Sequence, residues 1–315
     1  MMSTNGLRDC KPLGTITMNK SLVRVLGLAS VSAALIVGLG GDERRASGQD
    51  PAPAGKKADE RPARLAEMEF IAQAIRVVAI DDQEQQVPAV MAPKPLHRWT
   101  DPTREFSDGG LWVWRSSGRP VAVIGIELYS YWSLEFVSLS TGRVKAEYGR
   151  VRWTPQKGGG DFKDVPDAPR PAETEAGRLR QMSELAKRFS AREVWVNATG
   201  QHYALRLLPR PIDRYADSGS GVADGGLFIF ANGTNPEILL MVEARKRGEG
   251  PPKWMFAAMP LSHAEVSLAL GKQDVWTSPS KDAGQGVRPS DPYYDVLTPR
   301  VKVPAAKEEP KAPPK

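Results

Sequence analysis

The chain of 315 residues is poor in the residues that build metal and redox centres. Its single cysteine, Cys10, excludes a disulfide framework and any zinc or iron–sulfur site made of thiolates. The three histidines, His97, His202 and His263, lie far apart, so no multi-histidine metal site is expected and no cofactor is implied. The phosphate-loop, dinucleotide-binding, zinc-protease and serine-hydrolase signatures are missing. One formal S-x-x-K match, Ser278-Pro-Ser-Lys281, falls where the chain turns proline-rich and not on a helix. Long apolar runs are equally scarce, with one exception near the N-terminus.

That exception is the uncharged stretch 25–41, preceded by Lys20 and Arg24 and followed by Asp42-Glu-Arg-Arg45 and the small residues Ala46-Ser-Gly48. This order of basic, apolar and small segments reads as a secretory signal peptide over 1–48, starting at Met1 or Met18. Left uncleaved, the same run is a short N-terminal membrane anchor and the only membrane contact expected. The reading predicts an exported protein of the periplasm, cell envelope or exterior. The whole chain carries +6, but residues 1–48 hold six basic and three acidic side chains, which leaves the remainder at +3. No arginine- and lysine-rich patch interleaved with aromatics occurs there, so nucleic acid is not an expected partner.

Proline and glycine punctuate the rest. Residues 49–60 are a charged, small-residue linker, 155–173 a Pro/Gly linker around Gly158-Gly-Gly160, and 280–315 a Pro/Lys-rich tail expected to be disordered. Between them lie two segments, 61–154 and 174–279, that repeat one pattern. At an offset of 116 residues, Pro93-Lys-Pro-Leu-His-Arg98 lies over Pro209-Arg-Pro-Ile-Asp-Arg214, and Asp108-Gly-Gly-Leu-Trp-Val-Trp114 over Asp224-Gly-Gly-Leu-Phe-Ile-Phe230. Asp101, Pro120 and Glu127 meet Asp217, Pro236 and Glu243 in the same frame, and ten of 36 consecutive positions are identical. An offset of 122 aligns Trp132, Leu139-Ser140 and Gly149 with Trp254, Leu261-Ser262 and Gly271. Offsets that change only between elements are what loop insertions in a duplicated domain produce.

Each copy has the same plan. Apolar residues spaced three and four apart predict helices over 65–75 and 179–189, with Pro62 in a first turn and Thr174 as an N-cap. Alternating segments at 111–114 with 121–127, and 227–230 with 238–243, predict hairpins turning at Ser117-Gly118 and Asn232-Gly233. Further strands are expected at 193–197, 202–208, 133–139, 144–153, 254–259 and 264–270. One helix and five or six antiparallel strands per copy describe an α+β fold, a tandem duplication of a cystatin-like or related roll.

The stretches Asp108-Gly-Gly-Leu-Trp-Val-Trp114, Leu208-Pro-Arg-Pro-Ile-Asp-Arg-Tyr215 and Phe230-Ala-Asn-Gly-Thr-Asn-Pro-Glu237 resemble an uncharacterised family of exported bacterial proteins. The resemblance covers most of 64–279; it implies export and a shared shape, and no activity.

The polar residues matched in both copies are the candidates for chemistry: Arg98 and Arg214, Asp101 and Asp217, Asp108 and Asp224, Glu127 and Glu243. Acids in this number suit acid–base hydrolysis or a divalent cation at the interface of the copies, with the arginines holding an anionic group. They equally suit fold maintenance. Asp108 and Asp224 precede Gly-Gly and can bond a turn, while Glu127 and Glu243 can pair with the arginines. Duplication favours the second reading, because one active site needs each group once and a fold needs its clamps twice. Trp112 and Trp114 share one strand face and could stack on sugar rings, but alternation with Val113 favours a core facing the helix. The composite expectation is a non-catalytic envelope module that binds or supports an envelope protein or polysaccharide, with a carboxylate hydrolase as the alternative.

Overall fold

The computed structural model describes residues 60–300 except 82, 102–105, 196–199 and 282–285. The signal segment, Cys10, most of the first linker, and the tail from 301 lie outside the described residues. The fold is mainly β, with two short helices and three antiparallel sheets that include a curled half-barrel.

The first half opens with α1 (Arg61–Ala74), whose proline sits in the first turn, where a missing N–H costs nothing. Then come β1 (Arg76–Ile80), β2 (Gln86–Pro88), β3 (Val90–Met91), β4 (His97–Asp101), β5 (Phe106–Ser116), β6 (Arg119–Leu128), β7 (Trp132–Ser138), β8 (Val144–Tyr148) and β9 (Val151–Trp153). The linker contributes β10 (Lys163–Asp164). The second half runs α2 (Glu175–Ala186), β11 (Phe189–Trp195), β12 (Gln201–Leu207), β13 (Asp213–Asp217), β14 (Val222–Asn232), β15 (Asn235–Arg245), β16 (Lys253–Pro260), β17 (Glu265–Leu270) and β18 (Gln273–Ser278). A last strand, β19 (Tyr293–Thr298), follows. Thr174 caps α2 by accepting from the Gly177 amide at 3.1 Å.

Both halves follow one strand path. The second half gives a single sheet, β10-β16-β15-β14-β12-β11-β17-β18, with β13 beside β14. In the first half the path is β19-β7-β6-β5-β3 with β4 beside β5, and then β2-β1-β8-β9, broken into two sheets between β3 and β2. Pro88 ends β2 there, and a proline cannot donate to a continuing ladder. The hairpin turns differ as their residues require. Ser117 and Gly118 both take positive φ, as a type I′ turn demands, whereas in the second hairpin only Gly233 does.

Alternation along the central strands sorts side chains into three cores. Trp112 and Trp114 face α1 together with Met68 and Ile71. Phe228 and Phe230 face α2 with Met182 and Leu185. The intervening Leu111, Val113, Leu227 and Ile229 join Val123, Leu239 and Met241 in a third core shared by both halves. The layers are therefore helix, sheet, sheet, helix, with the two sheets face to face. Each large apolar side chain buried there contributes about 1.5–3 kcal/mol. The two halves thus share a core, and the helices hold 14 and 12 residues of a mainly β chain.

The composition of 280–315 predicts disorder; within that stretch the structure places one strand, and 301–315 lie outside the described residues. Residues Tyr293–Thr298 form a six-residue ladder with β7 of the first half, from Tyr293 opposite Val137 to Thr298 opposite Trp132. The linker strand β10 does the reciprocal service, pairing Lys163 with Phe256 and Asp164 with Met255 of β16. At the offset of 122, Phe256 corresponds to Leu134, and Leu134 is the partner of Val296. The segment after each half thus adds a strand to the other half, at the same position and register.

Candidate functional site

Asp108 and Asp224 are buried at 0% and 3% exposure, and each is clamped by two arginines. Asp108 accepts from Arg98 Nε at 2.9 Å, Arg98 Nη2 at 2.5 Å and Arg64 Nε at 3.2 Å. Arg98 Nη2 also reaches the Arg61 carbonyl in the first turn of α1 at 2.7 Å. The second half repeats every contact. Arg214 Nε and Nη2 donate to Asp224 at 2.9 and 2.7 Å, Arg178 Nε at 2.9 Å, and Arg214 Nη2 reaches the Glu175 carbonyl at 2.8 Å. Each clamp ties a helix start to the hairpin beneath it. The turn-bonding role expected of these aspartates is corrected: Gly109-Gly110 and Gly225-Gly226 lie inside strands β5 and β14, not in turns. They are glycines because rings cover them. A Cβ on Gly109 would stand 2.5 Å from the Trp99 ring, and one on Gly225 2.5 Å from the Tyr215 ring.

Asp217 accepts from the amides of Gly219 and Ser220 and from the Ser220 hydroxyl, which closes its own loop. Asp101 enters the ladder opposite Phe106, and its side chain lies outside the described residues. Trp112 and Trp114 are 0% and 1% exposed in the helix-side core, so the sugar-stacking reading is excluded for both. His97 donates from Nε2 to the Thr234 carbonyl at 3.0 Å, whereas Asp213, its counterpart in the other half, pairs with Arg115 at 2.5 Å.

Glu127 and Glu243 do not pair with Arg98 and Arg214, whose forks Asp108 and Asp224 occupy. Both point into the layer between the sheets, where Trp99 Nε1 donates to Glu127 at 3.2 Å and the Tyr215 hydroxyl to Glu243 at 2.9 Å. Beyond those ring donors the described surroundings differ in the residues that stand at matching positions. Glu243 takes Arg119 Nε at 3.0 Å from the first half and Arg245 Nε at 3.4 Å from its own strand. Both guanidiniums lie over the Phe162 ring, at 5.3 and 4.6 Å from its centre. Around Glu127 the matching positions are Tyr129 for Arg245, Glu135 for Ala257 and Asp295 for Phe162.

This acid-rich group is the convergence that sequence reasoning misses. Glu135 on β7 is 7% exposed and accepts from the Tyr293 hydroxyl at 2.7 Å. Asp295, two residues along β19, accepts from Ser133 at 2.5 Å and pairs with His263 Nε2 at 3.0 Å. Burial first, then the charges of Glu127 and Asp295, hold the Glu135 carboxyl well above the usual carboxylate range, against the Tyr293 bond and His263. Tyr293 is itself pushed far up by burial and by Glu135. A carboxyl held above its usual range beside two others is an arrangement able to pass a proton. Among the described residues no group of three or more His, Asp and Glu is placed to hold a metal ion. Comparison of the chain with protein-family models, curated proteins and solved structures finds no match.

Proposed function

We propose that the protein is an exported, non-catalytic module of the cell envelope, built from two copies of one helix-on-sheet unit of cystatin-like type and serving to bind or support an envelope component. The observation that carries this reading is the paired clamp: Asp108 and Asp224 each spend their carboxylate oxygens on two arginines of their own half. A group needed identically twice and hidden from solvent suits architecture better than turnover. The resemblance to exported bacterial proteins and the signal-like N-terminus support the location.

The test is the pair of variants Asp108→Asn and Asp224→Asn. The arginines flanking Asp108 expose only 16% and 23% of their side chains, so losing the charge leaves cations partly stranded. Breaking a buried pair costs about 3–5 kcal/mol, and partial exposure lowers this to about 2–4 kcal/mol for each variant. Urea unfolding that places either variant within 0.5 kcal/mol of the parent protein would refute the architectural role. Fractionation of cells, with the N-terminal sequence of the mature chain, tests export.

One observation favours a second reading, a hydrolytic site between the halves: Glu127, Glu135 and Asp295 gather beside His263 at the layer edge. On that reading Glu135 is the proton donor, and Glu135→Gln abolishes turnover of a glycoside or ester substrate without loss of fold.

A further inference from the structure

The layer between the sheets holds a charge imbalance at its base-rich end. Arg119 exposes 7% of its side chain and Arg245 15%, and the single carboxylate between them, Glu243, is fully buried. Two guanidiniums over one carboxylate leave one positive charge in a poorly solvated place, a costly arrangement unless a counter-ion is near. Two atoms register the mismatch: Arg119 Nη2 and Glu243 Oε2 are buried and find no hydrogen-bond partner among the described residues. Next to this pair opens a cavity of about 360 Å³, lined by Arg245, Arg247, Lys253, Asp164 and the Gly250-Pro251 turn. Its size is at the lower end of the roughly 300–1,000 Å³ of small-ligand pockets. Arg247 spends one nitrogen on the Phe162 carbonyl at 3.3 Å, and this contact fixes the linker beneath it. Four cations and two carboxylates thus share the site. Burial, with repulsion from Arg119 and Arg247, pushes Arg245 below its ordinary value despite the attraction of Glu243.

We infer that this cavity is an anion-binding site for a phosphate- or sulfate-type oxyanion, carried free or as an ester, with Arg245, Arg247 and Lys253 as its donors. A doubly charged tetrahedral oxyanion matches the surplus of two positive charges and offers enough acceptors for forked and single donors at once. Asp164 also lines the cavity, and its charge is already counted against the four cations in that surplus. The second half alone carries the site: the matching positions of the first half are Tyr129 and Tyr131 in place of Arg245 and Lys253, and Arg247 lies in the longer connection between them. The inference deepens the binding reading above by naming a ligand class, and its failure would leave the architectural role of the clamps untouched.

The experiment titrates the full-length protein with inorganic phosphate, sulfate and glycerol 3-phosphate, against sodium chloride at equal ionic strength, and follows the unfolding temperature and the heat of binding. Phosphate or its ester is expected to raise the unfolding temperature saturably where chloride does not, and the relative affinities of the two tell a free ion from an ester. Arg247→Ala with Lys253→Ala removes two exposed donors outside the core. It is expected to weaken binding at least tenfold per cation, while loss of the Arg247 contact with the Phe162 carbonyl lowers the unfolding temperature in chloride only slightly. Arg245→Met is the second variant, expected to abolish the phosphate effect and to stabilise the protein in chloride by relieving the buried surplus. Equal behaviour in phosphate and chloride overturns the inference, and so does a phosphate effect that survives the double variant undiminished.

Discussion

Tyr293 tests whether β19 is a structural strand or an appendage. It lies beyond both repeats, in a proline-rich stretch, yet exposes 2% of its surface in the core shared by the halves. Its ring meets His263 edge-on at 5.5 Å, and its hydroxyl donates to Glu135 at 2.7 Å. Tyr293→Phe keeps the ring and deletes only that bond. Since burial already holds the Glu135 carboxyl well above its usual range, the cost is that of one buried acceptor, about 1–2 kcal/mol. Tyr293→Ala also empties a site the size of an aromatic ring inside a close-packed layer. Truncations of that kind cost about 3–5 kcal/mol, and the orphaned acceptor adds to it, for a total of about 4–6 kcal/mol. Val296, partly buried against the α1 side, should lose only about 1–2 kcal/mol on truncation to alanine. Equilibrium urea unfolding followed by tryptophan fluorescence reads the series, because Trp132 and Trp153 lie buried in the half that receives β19. The reasoning fails if Tyr293→Ala costs under 1 kcal/mol, or if the phenylalanine and alanine variants cannot be told apart.

Two further predictions follow from buried groups. The carboxyl of Glu135 is raised in the folded state, so between the ordinary carboxylate range and that raised value the folded chain binds more protons than the unfolded one. Stability therefore falls as pH rises through this window. Glu135→Gln should match the parent near pH 4 and exceed it in unfolding temperature at pH 8; a difference that does not vary with pH would contradict the assignment. Gly109→Ala and Gly225→Ala should each cost about 1–3 kcal/mol by overpacking, since each new methyl meets a ring fixed by its bond to a buried glutamate. Thermal unfolding of the two variants checks this, and unchanged midpoints would mean the rings move aside freely.

The parts of the fold legible in the sequence are those specified by local pattern. Periodicity locates α1 and α2, alternation separates Trp112 from Val113 by face, and Gly118 and Gly233 mark hairpins by the φ they tolerate. What escapes is everything joined across the halves. Strand β19 carries a strand-like run, Tyr293-Tyr-Asp-Val-Leu-Thr298, bracketed by Pro292 and Pro299, yet the composition around it argues for disorder. The bracket itself is the overlooked signal, because prolines flank edge strands as well as interrupt coils. Arg119, Arg245 and Phe162 are 126 and 83 residues apart from first to second and second to third, and nothing in their local sequence announces a shared site. The two glycines after Asp108 suggest a turn by type, whereas Gly109 lies under the Trp99 ring of the neighbouring strand, invisible until register is known, and Gly110 under Trp112 of its own strand.

The divergence between the halves narrows where function could lie. A duplicated unit that served only as scaffold would be free to drift anywhere on its surface while keeping its cores alike. Here the clamps and the ring-to-glutamate bonds are retained in both halves, and the divergence occurs inside, where Tyr129 and Glu135 stand in the first half and Arg245 and Ala257 in the second. Both surroundings are completed by the exchanged segments, since Asp295 and Tyr293 come from β19 and Phe162 precedes β10. Two guanidiniums over one buried carboxylate are expensive, so the cluster around Glu243 lowers stability where it stands. Apolar residues would remove such a cost, as Ala257 does at the position that matches Glu135. The physical case for a binding role therefore rests on the cavity beside Glu243, and the linker segment that places Phe162 there is the element whose removal should alter both fold and ligand response together.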